Sequence, residues 1–367
     1  IGEAGANSGE MILFEDLSKF YIGTLSSVSE DTKTLTLSSV PTEQWRYETV
    51  DGAGNKEYCF HAISETTGEY SSYGRMIKGQ YAAVIKGKGK GQYRKITDVT
   101  ANSVTVDRAW DVAPDENSVV MLMRSTVNSV LYNNSVTGPE NFNNNYNATA
   151  GIQAYASMLG LTLDRNTFEN MHIGFYLDPH YNQKTYTVND KSFKSDNGYN
   201  VFIDTLIMNN SVTDVRYGAE IKPIIHREVL NGDLTAEEES AELILGLTLR
   251  RNKIRNCFNS TAVGESSQVG RYKLLEGLGG TAFVLGTTQR EFKYQYNGIG
   301  TGKWMKDVVI ENNTVRAAES SYFKVCYQQE GTVIRNNDLD RLGRRTETLE
   351  FEGQLDENHP ISEPIYH

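Results

Sequence analysis

LTLDRNTF, residues 161–168, carries the pattern that decides the fold: alternating apolar residues, a short polar link, an asparagine and a further apolar residue. Variants stand at LYNNSV (131–136), LIMNNSV (206–212), LTLRRNKI (247–254), VVIENNTV (308–315) and TVIRNNDL (332–339). Aligned on Asn134, Asn166, Asn210, Asn252, Asn313 and Asn337, the copies lie 32, 44, 42, 61 and 24 residues apart. A unit of short strands with a turn asparagine that recurs at such intervals is one coil of a parallel β-helix, whose stacked coils bury a continuous core. The shortest interval sets the base coil, and longer ones carry loops inserted at a corner. The expected fold class is all-β: a right-handed parallel β-helix over residues 127–340 with long loop insertions. Residues 1–126 read as a β-rich N-terminal module or decorated early coils. Residues 341–367 read as a tail capping the last coil, whose open edge otherwise invites aggregation.

A second strand follows each asparagine strand: GIQAY (151–155), GFYLD (174–178), GAEIK (218–222), AFVLG (282–286) and YFKVC (322–326). Side chains alternate along a strand. With Ile152, Ala154, Phe175, Leu177, Ala219, Ile221, Phe283, Leu285, Phe323 and Val325 inward, one outward row is Gln153, Tyr176, Glu220, Val284 and Lys324. Its neighbour is Tyr155, Asp178, Lys222, Gly286 and Cys326. Insertions 181–200, 223–242 and 287–307 all begin after this strand and would wall a groove beside the two rows, the usual setting for a ligand site. Insertion 259–280 leaves before its strand and would flank the opposite side.

Asp178 and Lys222, on neighbouring coils with Tyr176, Glu220 and His180 nearby, form the candidate catalytic cluster. A carboxylate beside an ammonium stays ionised, while Tyr176 or His180 could exchange a proton with a sugar. These are the ingredients of uronate β-elimination or C5 epimerisation; the bland alternative is a cross-strand ion pair. Gln153, Tyr155, Glu220, Lys324 and Trp304 are the candidate substrate-binding residues. Flat aromatic rings present apolar faces with a polar handle, as stacking on sugars requires. Asn-X-Ser/Thr matches at Asn133, Asn209, Asn259 and Asn312 fall on or beside coil turns, where an asparagine ladder is expected in place of glycosylation.

Over residues 127–340 these repeats resemble the right-handed parallel β-helix, pectate-lyase-like superfamily of bacterial extracellular type. The resemblance implies polysaccharide lyases, glycoside hydrolases, epimerases or adhesins. Asp178-Pro179-His180 resembles the DPH motif of mannuronan C5-epimerases, although the glycine and tyrosine of Gly174-Phe175-Tyr176-Leu177-Asp178-Pro179-His180 are out of register with the family's Tyr-Gly-Phe-Asp-Pro-His. The strings that mark polygalacturonases and classical pectate lyases do not occur. In the N-terminal part, GKGKGQYRKI (87–96) with TVDRAWDVAPDENS (105–118) resembles a structural segment of large extracellular bacterial β-helix proteins. GKGKG lacks the GxxxxGK[ST] spacing of a phosphate loop and reads as a hairpin turn.

A net charge of −11 and a pI near 5.2 disfavour nucleic acid as a partner, since phosphate binding needs clustered cations. No apolar run reaches the length of a membrane span, and the opening residues lack a signal peptide, which suggests a trimmed fragment. Three cysteines without CxxC spacing support neither a disulfide framework nor a zinc site. No metal or cofactor motif is present; calcium stays open, with Asp204 and Asp214 isolated in sequence. The expected partner is polysaccharide and the expected location extracellular or on a bacterial surface. The alternatives are a non-catalytic adhesin or binding module for plant cell-wall polysaccharide such as cellulose, and a structural spacer that trimerises. Oligomeric state is not fixed by the sequence.

Overall fold

The computed structural model describes residues 13–14, 19–39, 47–50, 56–60, 75–76, 80–100, 102–123, 125–140, 142, 149–154, 157–181, 184–188, 191–195, 200–221, 223–225, 242–259, 279–286, 305–326, 329–340 and 347–352. Among the described residues most strands belong to a closed antiparallel barrel and a parallel β-helix, with smaller two- and three-stranded sheets beside them.

The helix is built from an 8-stranded and an 11-stranded sheet, each parallel from coil to coil. Met158–Asp164, Phe202–Met208, Ile244–Arg250 and Met305–Glu311 stack in the first sheet. Thr167–Leu177 and Ser211–Ile221 stack in the second, which continues through Lys253–Cys257 with Thr281–Leu285 and then Thr314–Ala318 with Ser321–Cys326. Glu347–Glu352 adds a parallel strand beyond Ser321–Cys326, and Leu13–Phe14 pairs with Ala150–Ala154 at the other end. The ten residues expected to point inward all lie in one core, with Phe283 and Phe323 stacked at 5.5 Å and Phe168 edge-on to Phe175 at 5.2 Å.

The sheets meet at the asparagines, which form the expected ladder. Asn166 donates its backbone and side-chain N–H groups to Oδ1 of Asn210, 2.8 and 3.0 Å away. Asn210 does the same to Asn252, Asn252 to Asn313, and Asn313 to Asn337. The second amide hydrogen of each reaches a carbonyl of the coil below, such as Leu163 O from Asn210 at 2.9 Å. Buried amides persist only when satisfied in this way.

Left-handed residues are stacked as well. Asn133, Arg165, Asn209, Arg251, Asn312 and Asn336, each just before a ladder asparagine, all have φ between 54 and 57°. The sequon asparagines 133, 209 and 312 therefore occupy the turn, and the residue after each occupies the ladder. A second column, Asn128, Gly160, Asp204, Gly246, Asp307 and Gly331, bends the 8-stranded sheet; a third, Asn170, Asp214, Asn256 and Ala317, bends the 11-stranded one. Asn, Asp and Gly tolerate this conformation.

The barrel closes Lys19–Val28, Thr34–Leu37, Ser103–Val106, Tyr93–Val99, Tyr81–Lys86 and Val119–Met123 in that order. A separate three-stranded sheet, Tyr47–Val50, Lys56–Phe60 and Arg75–Met76, is inserted in the sequence between barrel strands. Tyr81–Lys86 and Val119–Met123 are apolar on both faces for two different reasons. Ala82, Val84, Val120 and Leu122 fill the barrel, while Ala83, Ile85, Val119, Met121 and Met123 pack on Leu159, Val201, Ile203, Leu243 and Leu245 of the helix. The helix row Leu159, Ile203, Leu245 continues in register into Lys306 and Glu330, where apolar contact gives way to charge. There Lys90, from the GKGKG hairpin, lies 3.3 Å from Asp307 and 3.8 Å from Glu242, and Lys306 lies 3.4 Å from Glu242. Gly87, Gly89 and Gly91 of that turn all have positive φ, which accounts for the glycine spacing. Arg94, buried over Trp110 at 5.1 Å and bonded to Ala109 O and Asp111, anchors the AWDVAP segment to the barrel.

Candidate functional site

Past the third left-handed column, the 11-stranded sheet presents a side that faces away from the core. Its first row is the one expected from alternation. Gln153 pairs with Tyr176, Tyr176 with Glu220, Glu220 with Val284, and Val284 with Lys324. The row runs on to Leu13 at one end and Glu350 at the other. Parallel neighbours stand about 4.8 Å apart, so amide, phenol, carboxylate and ammonium groups follow one another along the axis.

The row is not an open surface along its length. Gln153 and Glu220 are each 6% exposed, Val284 2%, and only Tyr176 and Lys324 are half-exposed. Asp178, two residues beyond Tyr176, is 1% exposed, and its N–H donates to Ala154 O at 2.9 Å. Sequence alternation yields direction but not cover, since cover depends on what packs outside the coil. After Pro179, which can donate no ladder bond, the chain pairs again: His180–Tyr181 runs beside Ile224–Ile225. That pairing keeps the 44-residue offset of Leu177 and Ile221, so these two insertions leave the helix in step. The first contains a hairpin, Lys184–Val188 with Lys191–Ser195. Tyr155, Lys222 and Trp304 lie outside the described residues, as does the side chain of His180.

Two buried polar residues on the same strands escaped the sequence reading. His172 is 3% exposed and Arg216 6%, and the 44-residue offset that aligns MHIGFYLD with VRYGAEIK sets them opposite each other. His172 Nδ1 accepts the Thr149 N–H at 2.8 Å, which assigns the ring proton to Nε2, and Phe142 meets the ring edge-on. Aligning the two segments by that offset would have found the pair.

No family model and no curated protein matches the chain. Two phage tailspikes of solved structure resemble it. One is the tailspike protein gp49 of Pseudomonas phage LKA1, at 10% identity over 94% of this chain and 62% of that one, with a TM-score of 0.24. The other is the Gp54 tailspike of Acinetobacter baumannii bacteriophage AP22, solved in complex with A. baumannii capsular saccharide, at 11% identity over 94% and 65%, with a TM-score of 0.23. The chain spans less than two thirds of either tailspike. Likeness of this extent fixes no residue correspondence, and the site is read from the chain's own strands.

Chemically, the row offers donors and acceptors at Gln153, Tyr176, Glu220 and Lys324, with Val284 between the last two, and Asp178 lies two residues beyond Tyr176 on the coil next to that of Glu220. Such groups can hold sugar hydroxyls, and a carboxylate with a phenol can move a proton to or from a ring carbon or glycosidic oxygen. Among the described residues, no group of three or more His, Cys, Asp or Glu is placed to hold a metal ion.

Proposed function

We propose that this is an extracellular, cell-surface type of β-helix protein that binds an extended polysaccharide along the row Gln153, Tyr176, Glu220 and Lys324. In this reading Tyr155 and Trp304 complete the binding surface, and Asp178, Lys222, Tyr176 and His180 are the candidates for lyase- or epimerase-type chemistry on a uronate. The observation that carries it is the continuous register of the row across five coils, polar at Gln153, Tyr176, Glu220 and Lys324 and interrupted by Val284. A polymer with its own regular repeat is the ligand class to which a straight row of hydrogen-bonding groups is complementary.

Burial of Asp178 favours a second reading, a non-catalytic adhesin or binding module. One experiment separates the two. The protein is incubated with acidic and neutral polysaccharides, with and without calcium, while absorbance near 235 nm, reducing ends and depletion onto insoluble polymers such as cellulose are followed. An absorbance rise marks β-elimination; depletion without product marks the adhesin; neither signal with any polymer would remove the proposal.

A further inference from the structure

The turn and strand that follow the fourth coil's 8-stranded-sheet segment read LRRNKIR, residues 249–255. Asn252 and Ile254 are buried at 1% and 0%, so Lys253 and Arg255 share the outer face of one strand, roughly 7 Å apart. Arg251 stands at the left-handed corner before them. All three side chains are exposed, and none forms an ion pair with a described residue. The contrast with nearby cations is direct: Arg316 is held by Asp338, and Arg335 by Glu311 at 2.8 Å.

Their immediate neighbours are hydroxyls, amides and one guanidinium; the carboxylates of these rows, Glu169 and Asp338, stand one coil further away. Lys253 pairs with Ser211 on one side and Thr314 on the other; Arg255 pairs with Thr213 and with the engaged Arg316. Arg251 stands between Asn209 and Asn312 in its column. Three cations without an ion-pair partner among the described residues thus sit beside small polar side chains, in a chain whose net charge is −11. An overall negative protein repels a polyanion at long range, so attraction there must be local.

We propose that this face is a second saccharide site, selective for acidic polysaccharides that carry carboxylate or sulfate groups. Arg251 and Arg255 supply planar forks that match oxyanions, Lys253 supplies a point charge between them, and the neighbouring hydroxyls take up sugar hydroxyls. Nucleic acid fits less well. Its affinity comes from many phosphate contacts and base stacking, and among the described residues these rows offer only three cations outside ion pairs and no aromatic ring. The site is on a different face from the row through Tyr176 and does not rest on that row's reading.

The test is affinity electrophoresis of the full chain through gels containing dextran sulfate, neutral dextran or oligodeoxythymidine. The wild type should be retarded by dextran sulfate only, and less so as salt rises. Arg251→Asn, Lys253→Thr and Arg255→Thr, which install residue types the neighbouring coils already carry, should together weaken dextran sulfate binding at least tenfold. The double variant Lys253→Thr/Arg255→Thr leaves the corner untouched and should already lose several-fold, so the result does not depend on the corner refolding. A control triple, Lys88→Thr/Lys95→Thr/Arg108→Asn, removes equal charge from the exposed barrel surface and should bind normally. Equal loss in both triples, equal retardation by neutral dextran, or oligodeoxythymidine binding as tight as dextran sulfate would each overturn the proposal.

Discussion

Asn252 Oδ1 accepts both the backbone N–H and the side-chain amide of Asn210, at 3.0 and 2.9 Å, while its own amide reaches Ile207 O at 2.9 Å. The pair closes the turn of one coil with the atoms of the next. Asn210→Ala removes the acceptor used twice by Asn166, strands Leu163 O and takes from Asn252 Oδ1 one of its two donors, the backbone N–H of residue 210 remaining. At roughly 1 kcal/mol per bond, and more for groups left unpaired, the cost should be about 3–5 kcal/mol. Asn134→Ala, at the half-exposed start of the ladder, should cost about 1–2 kcal/mol. Denaturant midpoints check the order, and a smaller effect at 210 than at 134 would contradict the ladder's role.

Gly160 and Gly246 occupy the same left-handed column, with φ of 73 and 68°. A Cβ at 160 would meet Asn128 Oδ1 at 2.6 Å and the Tyr93 hydroxyl of the barrel at 2.7 Å, whereas at 246 the nearest atom is 3.9 Å away. Gly246→Ala should therefore cost only the backbone strain, about 1 kcal/mol, and Gly160→Ala clearly more. Comparing thermal midpoints of the two measures the close packing at 160, against Asn128 of the adjoining coil and Tyr93 of the barrel.

Thr205 lies 2% exposed between Leu161 and Leu247, and its hydroxyl has no hydrogen-bond partner among the described residues. Thr205→Val keeps the shape and removes the orphaned group, so stability should rise by about 1 kcal/mol. A fall in melting temperature would show that the hydroxyl is satisfied in solution.

Glu242 has its carboxyl pKa raised, because burial outweighs the attraction of Lys90 and Lys306. A carboxyl whose folded pKa exceeds its unfolded value contributes stability at low pH that is lost as pH rises through the folded pKa. The melting temperature of the wild type relative to Glu242→Gln should therefore climb as pH is lowered from 7 towards 4.5. A constant difference across that range would mean that Glu242 titrates normally.

If the row is catalytic, Lys222→Ala and Tyr176→Phe should abolish product formation on uronate polymers with the melting temperature unchanged. Lys324→Ala should weaken binding several-fold with turnover at saturation intact. Undiminished turnover in Lys222→Ala would remove that cluster from the mechanism.

The helix was legible because its signals are periodic. The spacing of Asn134 to Asn337 marks the ladder, and alternation in GFYLD and GAEIK fixes which residues pair and which face the core. What the sequence hid depends on atoms packed outside a coil. Glu220 and Gln153 read as groove residues, yet both are buried. The runs YAAVIK and VVMLM read as strands, but their double-sided apolarity, the mark of burial on both faces, was the sign that a barrel docks on the helix. Arg165 and Arg251 gave no turn signal, because arginine seldom occupies a left-handed corner; only their register with Asn133, Asn209, Asn312 and Asn336 reveals it.

The ladder also makes length a quantised property of this molecule. Every interior asparagine of the ladder is satisfied by its neighbours above and below, so a fraction of a coil cannot be removed without orphaning an amide, but a whole one can. Excising residues 313–336 would join Asn312 directly to Asn337, restoring the same Asn-Asn step one storey shorter. Shortening or lengthening the rod by whole storeys is therefore compatible with its interior, and its reach along a polymer can change in increments of about 4.8 Å without redesign of the core.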